Sequence, residues 1–230
     1  METNAAIVAS GKDAYLVYDA LDPVVARDVF NELVASDAWV EMEHHGGTVP
    51  RLVQVQAKRD NDGWMPLYRH PQDRFIEPVQ FSSLITRVAQ VASTIVGHEL
   101  NHVLIQQYRS GRDYISEHAD KTIDLIPNTS IVNVSIGDVR ELIFREKERS
   151  PSRLKQTFEL PHNSMLVMGL DTNATYLHGI KRRPDKGIRV SLTFRACGTF
   201  INGAHTLIYG LGSSAKLKHS PRTIATSIFS

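Results

Sequence analysis

The feature that most constrains this chain is a change of period near Gly97. Upstream, apolar residues recur at helical spacing. Downstream they come in short runs of β-forming residues at 103–108, 131–136, 141–145, 157–160, 165–168 and 189–194. Turn clusters such as Pro127-Asn128, Gly137-Asp138 and Pro161-His162-Asn163 separate those runs. Two helices precede them. In the first, Asp22 is placed to cap and Pro23 to open a helix over 23–36, with Val25, Val29, Phe30, Leu33 and Val34 on one face. In the second, Phe81, Leu84, Ile85, Val88, Ala92 and Ile95 form an apolar face that Gly97 closes. Leading helices followed by many short strands predict an α+β chain: an antiparallel double-sheet β-fold with the N-terminal helices packed on one sheet.

Size and charge narrow the function classes. A chain of 230 residues is most simply one domain. No apolar run approaches the roughly 18 residues of a membrane span, and the N-terminal stretch lacks a secretory pattern. The single Cys197 excludes an internal disulfide and fits a reducing, cytoplasmic or nuclear setting. The net charge of +1 argues against the strong basic footprint of a nucleic-acid binder, although Lys58-Arg59 and Lys181-Arg182-Arg183 are local basic spots.

The candidate chemistry lies in three stretches: YISEHAD ending at Asp120, YLHGI around His178, and RVSLTFR from Arg189 to Arg195. In an extended segment, residues two apart share a face, so His118 and Asp120 can reach one metal. A later His178 completes two-histidine-one-carboxylate ligation, which holds one face of an iron(II) and leaves positions open for a co-substrate and O2. With 10 histidines in the chain, a surface pair plus an ordinary histidine is the competing reading of that spacing. The arginines tip the balance. Arg189, Ser191, Thr193 and Arg195 share one face of a strand whose other face is Val190, Leu192 and Phe194. Two inward arginines need anionic partners, and a dicarboxylate supplies them. Tyr108, on the strand leading to His118, can add a hydroxyl.

These stretches, in this order and with the closing Arg-x-x-x-Thr-Phe-Arg, resemble the AlkB-like branch of the iron(II)/2-oxoglutarate-dependent dioxygenases over roughly residues 100–196, with a weaker likeness back to about residue 20. In pattern the chain is similar to fungal members. The resemblance implies a double-stranded β-helix (jelly roll). It implies His118, Asp120 and His178 as iron ligands. It sets Arg189 on the far carboxylate of 2-oxoglutarate with Tyr108 assisting, and Arg195 at the iron end. Gln106 and Ser191 stand where nucleic-acid demethylases of the family usually carry Asn, and both stay polar. It further implies one dioxygenase domain over 1–230, with 39–75 as a substrate lid and 197–230 as a C-terminal extension whose last residues read as poorly ordered. The demethylases carry an aromatic base stacker shortly after Pro-Arg; here Arg51 is followed by Leu52-Val53-Gln54-Val55-Gln56. Trp64 and Tyr68, with Arg51, are the candidate substrate residues. The missing stacker and the near-neutral charge favour a small-molecule substrate in natural-product tailoring, with nucleic-acid N-alkyl demethylation as the alternative. The remaining histidines are assigned to structure or surface.

Overall fold

The computed structural model describes residues 5–7, 13–44, 47–70, 73–147, 154–204, 207–215 and 218–219. Two sheets face each other. The larger runs in the order Ala5–Ile7, Ala14–Val17, Ser164–Gly169, Ser130–Gly137, Arg189–Arg195, His102–Tyr108, Gly47–Ala57, Val40–His44, with Val79–Gln80 joining Gly47–Ala57. The smaller runs Lys155–Leu160, Arg140–Glu146, Tyr176–Ile180, Ile115–His118. Apart from the parallel Val79–Gln80 pairing, neighbours in both sheets are antiparallel. This is the expected jelly roll.

The two expected helices form and pack on the outer face of the larger sheet. The first is Pro23–Val34, where the Asp22 carboxylate accepts from Val24 N at 2.8 Å. The second is Ser83–Val96, capped by the Ser82 hydroxyl and ended by Gly97 at φ +73°. Val25, Val29, Leu33, Ile85, Val88 and Ala92 meet Val103, Ile105, Val132, Val134, Val190, Leu192 and Phe194 in one core. Each such side chain contributes about 1.5–3 kcal/mol through burial. Truncating the fully buried Phe194 to alanine would cost about 3–5 kcal/mol. The opposite, inner face is therefore free for polar side chains, because strand residues alternate.

Two strands in the smaller sheet were not legible from their residues. Ile115–His118 is short and mostly polar, and Tyr176–Ile180 is short and interrupted by His178-Gly179. Gly179 explains their close approach: a Cβ there would lie 2.8 Å from the Ile115 carbonyl oxygen. The segment 39–75 is partly sheet, since Leu52–Ala57 pairs with His102–Gln107. The start of the C-terminal extension is ordered: Thr199–Ile201 pairs with both Ile208–Gly210 and Met65–Pro66. The last residues, 220–230, lie outside the described residues. Among the described residues no helix is long and apolar enough to cross a membrane.

Candidate active site

Register brings the polar residues level. Arg189 lies opposite Tyr108, Ser191 opposite Gln106, Thr193 opposite Leu104 and Arg195 opposite His102. On the other flank Ser191 faces Ser135 and Thr193 faces Asn133. The alternation read from RVSLTFR thus holds: Val190, Leu192 and Phe194 go to the helix-side core, and the two arginines go between the sheets.

His118, Asp120 and His178 converge. His118 and His178 are paired across neighbouring strands, with ring centroids 4.4 Å apart. Candidate ligand atoms of all three residues lie within 4.8 Å of one another. His118 Nδ1 donates to the Ser116 carbonyl at 2.9 Å, which leaves Nε2 free to bind, 3.6 Å from Asp120 Oδ1. His178 Nδ1 is buried without a hydrogen-bond partner among the described residues. Burial, reinforced by His118, pushes His178 down to about 3, so its ring is neutral, the form that binds a metal. Burial works to raise the Asp120 pKa, but Arg195 and the two histidines outweigh it and hold the carboxyl far below the ordinary range. Two imidazoles and one carboxylate on one side of a cavity fit a ferrous ion.

Asn173, absent from the sequence reading, clamps the Asp120 backbone. Its Oδ1 accepts from Asp120 N at 2.8 Å and its Nδ2 donates to Asp120 O at 3.0 Å. It sits in the short helix Leu170–Thr175, which has no apolar pattern to mark it.

The arginines differ in their partners. Arg195 Nη2 donates to Asp120 Oδ2 at 2.8 Å and its guanidinium lies 4.1 Å from the Tyr68 ring centroid. Arg189 is 1% exposed, and Nη2 donates to neutral oxygens, Ser135 Oγ at 2.7 Å and Asn133 Oδ1 at 3.3 Å. Among the described residues its Nε and Nη1 have no hydrogen-bond partner, and its guanidinium lies 5.0 Å from the Tyr108 ring centroid. Burial pushes Arg189 down to about 10, which leaves it charged at neutral pH. A buried cation with two open donors is costly, and an organic carboxylate fits it. Asn133 also donates to Ser191 Oγ at 2.7 Å and Thr193 Oγ1 at 2.9 Å, so it orders this wall. Asn133 and Ser135 were also missed; their signal was two polar residues at even spacing in an otherwise apolar strand.

His118, Asp120, His178, Asn133, Arg189 and Arg195 border a cavity of about 360 Å³. Of the candidate substrate residues, Arg51 and Tyr68 line it. Trp64 does not. It follows the Asp60–Gly63 turn, its N–H donating to Asp60 Oδ1 at 2.8 Å, and its ring packs edge-on against Tyr209, centroids 4.7 Å apart, on the small C-terminal sheet. His98 and His162 are structural acceptors, taking the N–H of Ser130 and Gly137.

Fold and site together define a metal- and diacid-dependent oxygenase architecture. The model of the 2OG-Fe(II) oxygenase superfamily matches residues 13–195, and the chain belongs to that superfamily. Within it, the relatives lie on the AlkB-like branch. The human DNA oxidative demethylase ALKBH2 is 36% identical over 182 residues, covering 74% of this chain and 68% of that protein. Its bovine counterpart is 34% identical over 182 residues, covering 74% and 64%. The mouse protein is 34% identical over 126 residues, covering 52% of this chain and 53% of its own length. A solved structure titled "The structure of OsALKBH1" superposes with a TM-score of 0.57 at 15% identity, covering 84% of this chain and 99% of that one, which speaks to the fold alone.

These relatives overturn the expectation of a small-molecule tailoring enzyme and of a small-molecule partner. The charge and stacker arguments for it each had a physical flaw. Net charge averages over the surface, whereas the cavity wall carries Arg51, Lys121, Arg189 and Arg195 against one acid, Asp120. The missing aromatic after Arg51 was sought in a strand committed to sheet pairing, while Tyr68, His70 and Tyr114 bring rings to the cavity from elsewhere.

Proposed function

We propose that this chain is an iron(II)/2-oxoglutarate-dependent demethylase of N-alkylated bases in DNA. The observation that carries the reading is the 36% identity to a DNA oxidative demethylase over 182 residues, 74% of this chain. His118, Asp120 and His178 would hold the metal. Bound iron(II), with 2-oxoglutarate and O2, supplies oxidation of an unactivated C–H bond. Arg189 would pair with the far carboxylate of 2-oxoglutarate, with Tyr108, Gln106 and Ser191 shaping that end of the cavity. Arg195 keeps Asp120 ionised and fixes one of its oxygens. Arg51 and Tyr68 would face the base. The overall change is N–CH3 to N–H plus formaldehyde, balanced by 2-oxoglutarate and O2 going to succinate and CO2. A DNA substrate makes the compartment nuclear rather than cytoplasmic.

The test is succinate formation by the iron-loaded protein with oligonucleotides that differ only by one N-methyl group. The methylated strand should stimulate turnover, and the stimulation should weaken steeply with salt as phosphate contacts are screened. Equal turnover with both strands at every salt concentration would contradict the assignment.

A further inference from the structure

Once the metal and diacid residues are set aside, two buried polar atoms on the cavity wall have no partner among the described residues: Arg51 Nε and His70 Nε2. Buried polar groups are normally satisfied, so an open one facing a cavity points to a ligand. His70 is 2% exposed. Burial, with the Arg195 charge, pushes it down to about 3, and its ring is neutral at physiological pH. A neutral imidazole offers either a donor or an acceptor, as its tautomer requires.

His70 is held partly from within the family match, where its N–H donates to the Arg74 carbonyl at 2.8 Å and its ring meets Tyr68 edge-on, and partly by contacts that reach beyond it. Along 65–70 the side chains alternate. Tyr68 and His70 line the cavity, while Leu67 and Arg69 turn the other way. Leu67 packs with Ile201, and its N–H donates to the Thr199 carbonyl at 2.8 Å. Arg69 forms an ion pair with Asp124 in which both side chains are fully buried. Its backbone N–H also donates to Asp124 Oδ2 at 2.8 Å, and Nη2 donates to the carbonyls of Gly212 at 2.7 Å and Ala215 at 3.2 Å. Those carbonyls belong to the extension, past the family match that ends at residue 195. Gly212 is required at the contact: a Cβ there would meet Asp124 Oδ1 at 2.5 Å and Arg69 Nη1 at 2.6 Å. A buried ion pair adds little net stability, so its value here is geometric.

We propose that the segments 199–201 and 212–215 form a brace that acts through Arg69 to position His70, and that His70 reads a hydrogen-bonding group of the substrate base. The reading role rests on the demethylase assignment; the brace does not. Arg69, Asp124 and Gly212 are positioning residues.

The brace is tested by NMR of 15N-histidine-labelled protein carrying zinc as a diamagnetic stand-in for iron. Gly212→Ala should shift the His70 ring resonances and leave those of His98 and His162 in place. Should that variant not fold, Asp124→Asn reads the same shift. An unmoved His70 signal overturns the brace. The reading role is tested kinetically on the iron-loaded protein with an N-methylated oligonucleotide. His70→Leu should raise KM about tenfold with little change in kcat, the scale of one lost hydrogen bond, and His70→Gln should recover most of it. A fall in kcat at constant KM, or no recovery by glutamine, overturns the reading role. If the wild-type protein does not turn over that oligonucleotide, the demethylase assignment fails and takes the reading role with it, while the NMR shift still decides the brace.

Discussion

The two ends of the cavity are built differently. At the cofactor end, Arg189, Ser191, Thr193 and Arg195 come from one strand, and the strand's own alternation aims them inward. At the substrate end, Arg51, the Tyr68–His70 pair and Tyr114 come from three separate segments, and His70 is tied to the C-terminal extension through Arg69. The first end is fixed by local geometry plus one neighbouring register. The second is fixed by contacts between residues far apart in sequence, such as Arg69 with Asp124 and Gly212. Local geometry can be read from spacing; remote contacts cannot.

Substitutions at the two ends should therefore separate. The largest effect is expected at the metal. Asp120→Asn removes the charged ligand and leaves Arg195 buried without its anion, so succinate formation should fall by more than about 100-fold, beyond what loss of an outer partner costs. Retention of wild-type turnover would break the cofactor half of the comparison. Next comes Arg189→Met. Losing one partner of a buried charge pair costs about 2–5 kcal/mol, so KM for 2-oxoglutarate should rise about 30-fold or more. KM for the oligonucleotide should change far less; equal changes would mean that the two ends are not independent.

The smallest effect concerns pH and belongs to the substrate end. Burial, aided by Arg195, holds His70 near 3, while an unfolded histidine titrates near 6.5. Between roughly pH 6.5 and 3 the unfolded chain binds a proton that folded His70 refuses, so stability falls as pH drops through that window. Arg51 and Lys121 act in the same direction as Arg195, and Asp120 opposes them. His70→Leu should flatten the loss of melting temperature between pH 7 and pH 5. His102, also held well below its ordinary value by burial, should leave a residual slope.

This contrast explains what the sequence made legible. Both long helices were readable because Asp22, Pro23 and Gly97 mark their ends and their apolar faces repeat. The convergence of His118 with Asp120, and the shared inward face of Arg189 and Arg195, were readable because spacing by two in a strand dictates a shared face. Asn173 was not, since its role is to hold the backbone of Asp120, 53 positions away, from a six-residue helix. Trp64 was misplaced because composition marks an aromatic without saying which sheet it meets; here that is the Tyr209 side. The substrate class was misread for the same reason. A missing aromatic at one position carries little weight when other segments deliver rings to the same cavity.

The most direct measurement is the ratio of formaldehyde released to succinate formed by the iron-loaded protein acting on an N-methylated oligonucleotide. If the two ends of the cavity serve one reaction, the ratio approaches one with the methylated strand, and formaldehyde is absent with its unmethylated twin. Succinate formed at the same rate in both cases, without formaldehyde, would mean that the cavity does not receive a methylated base.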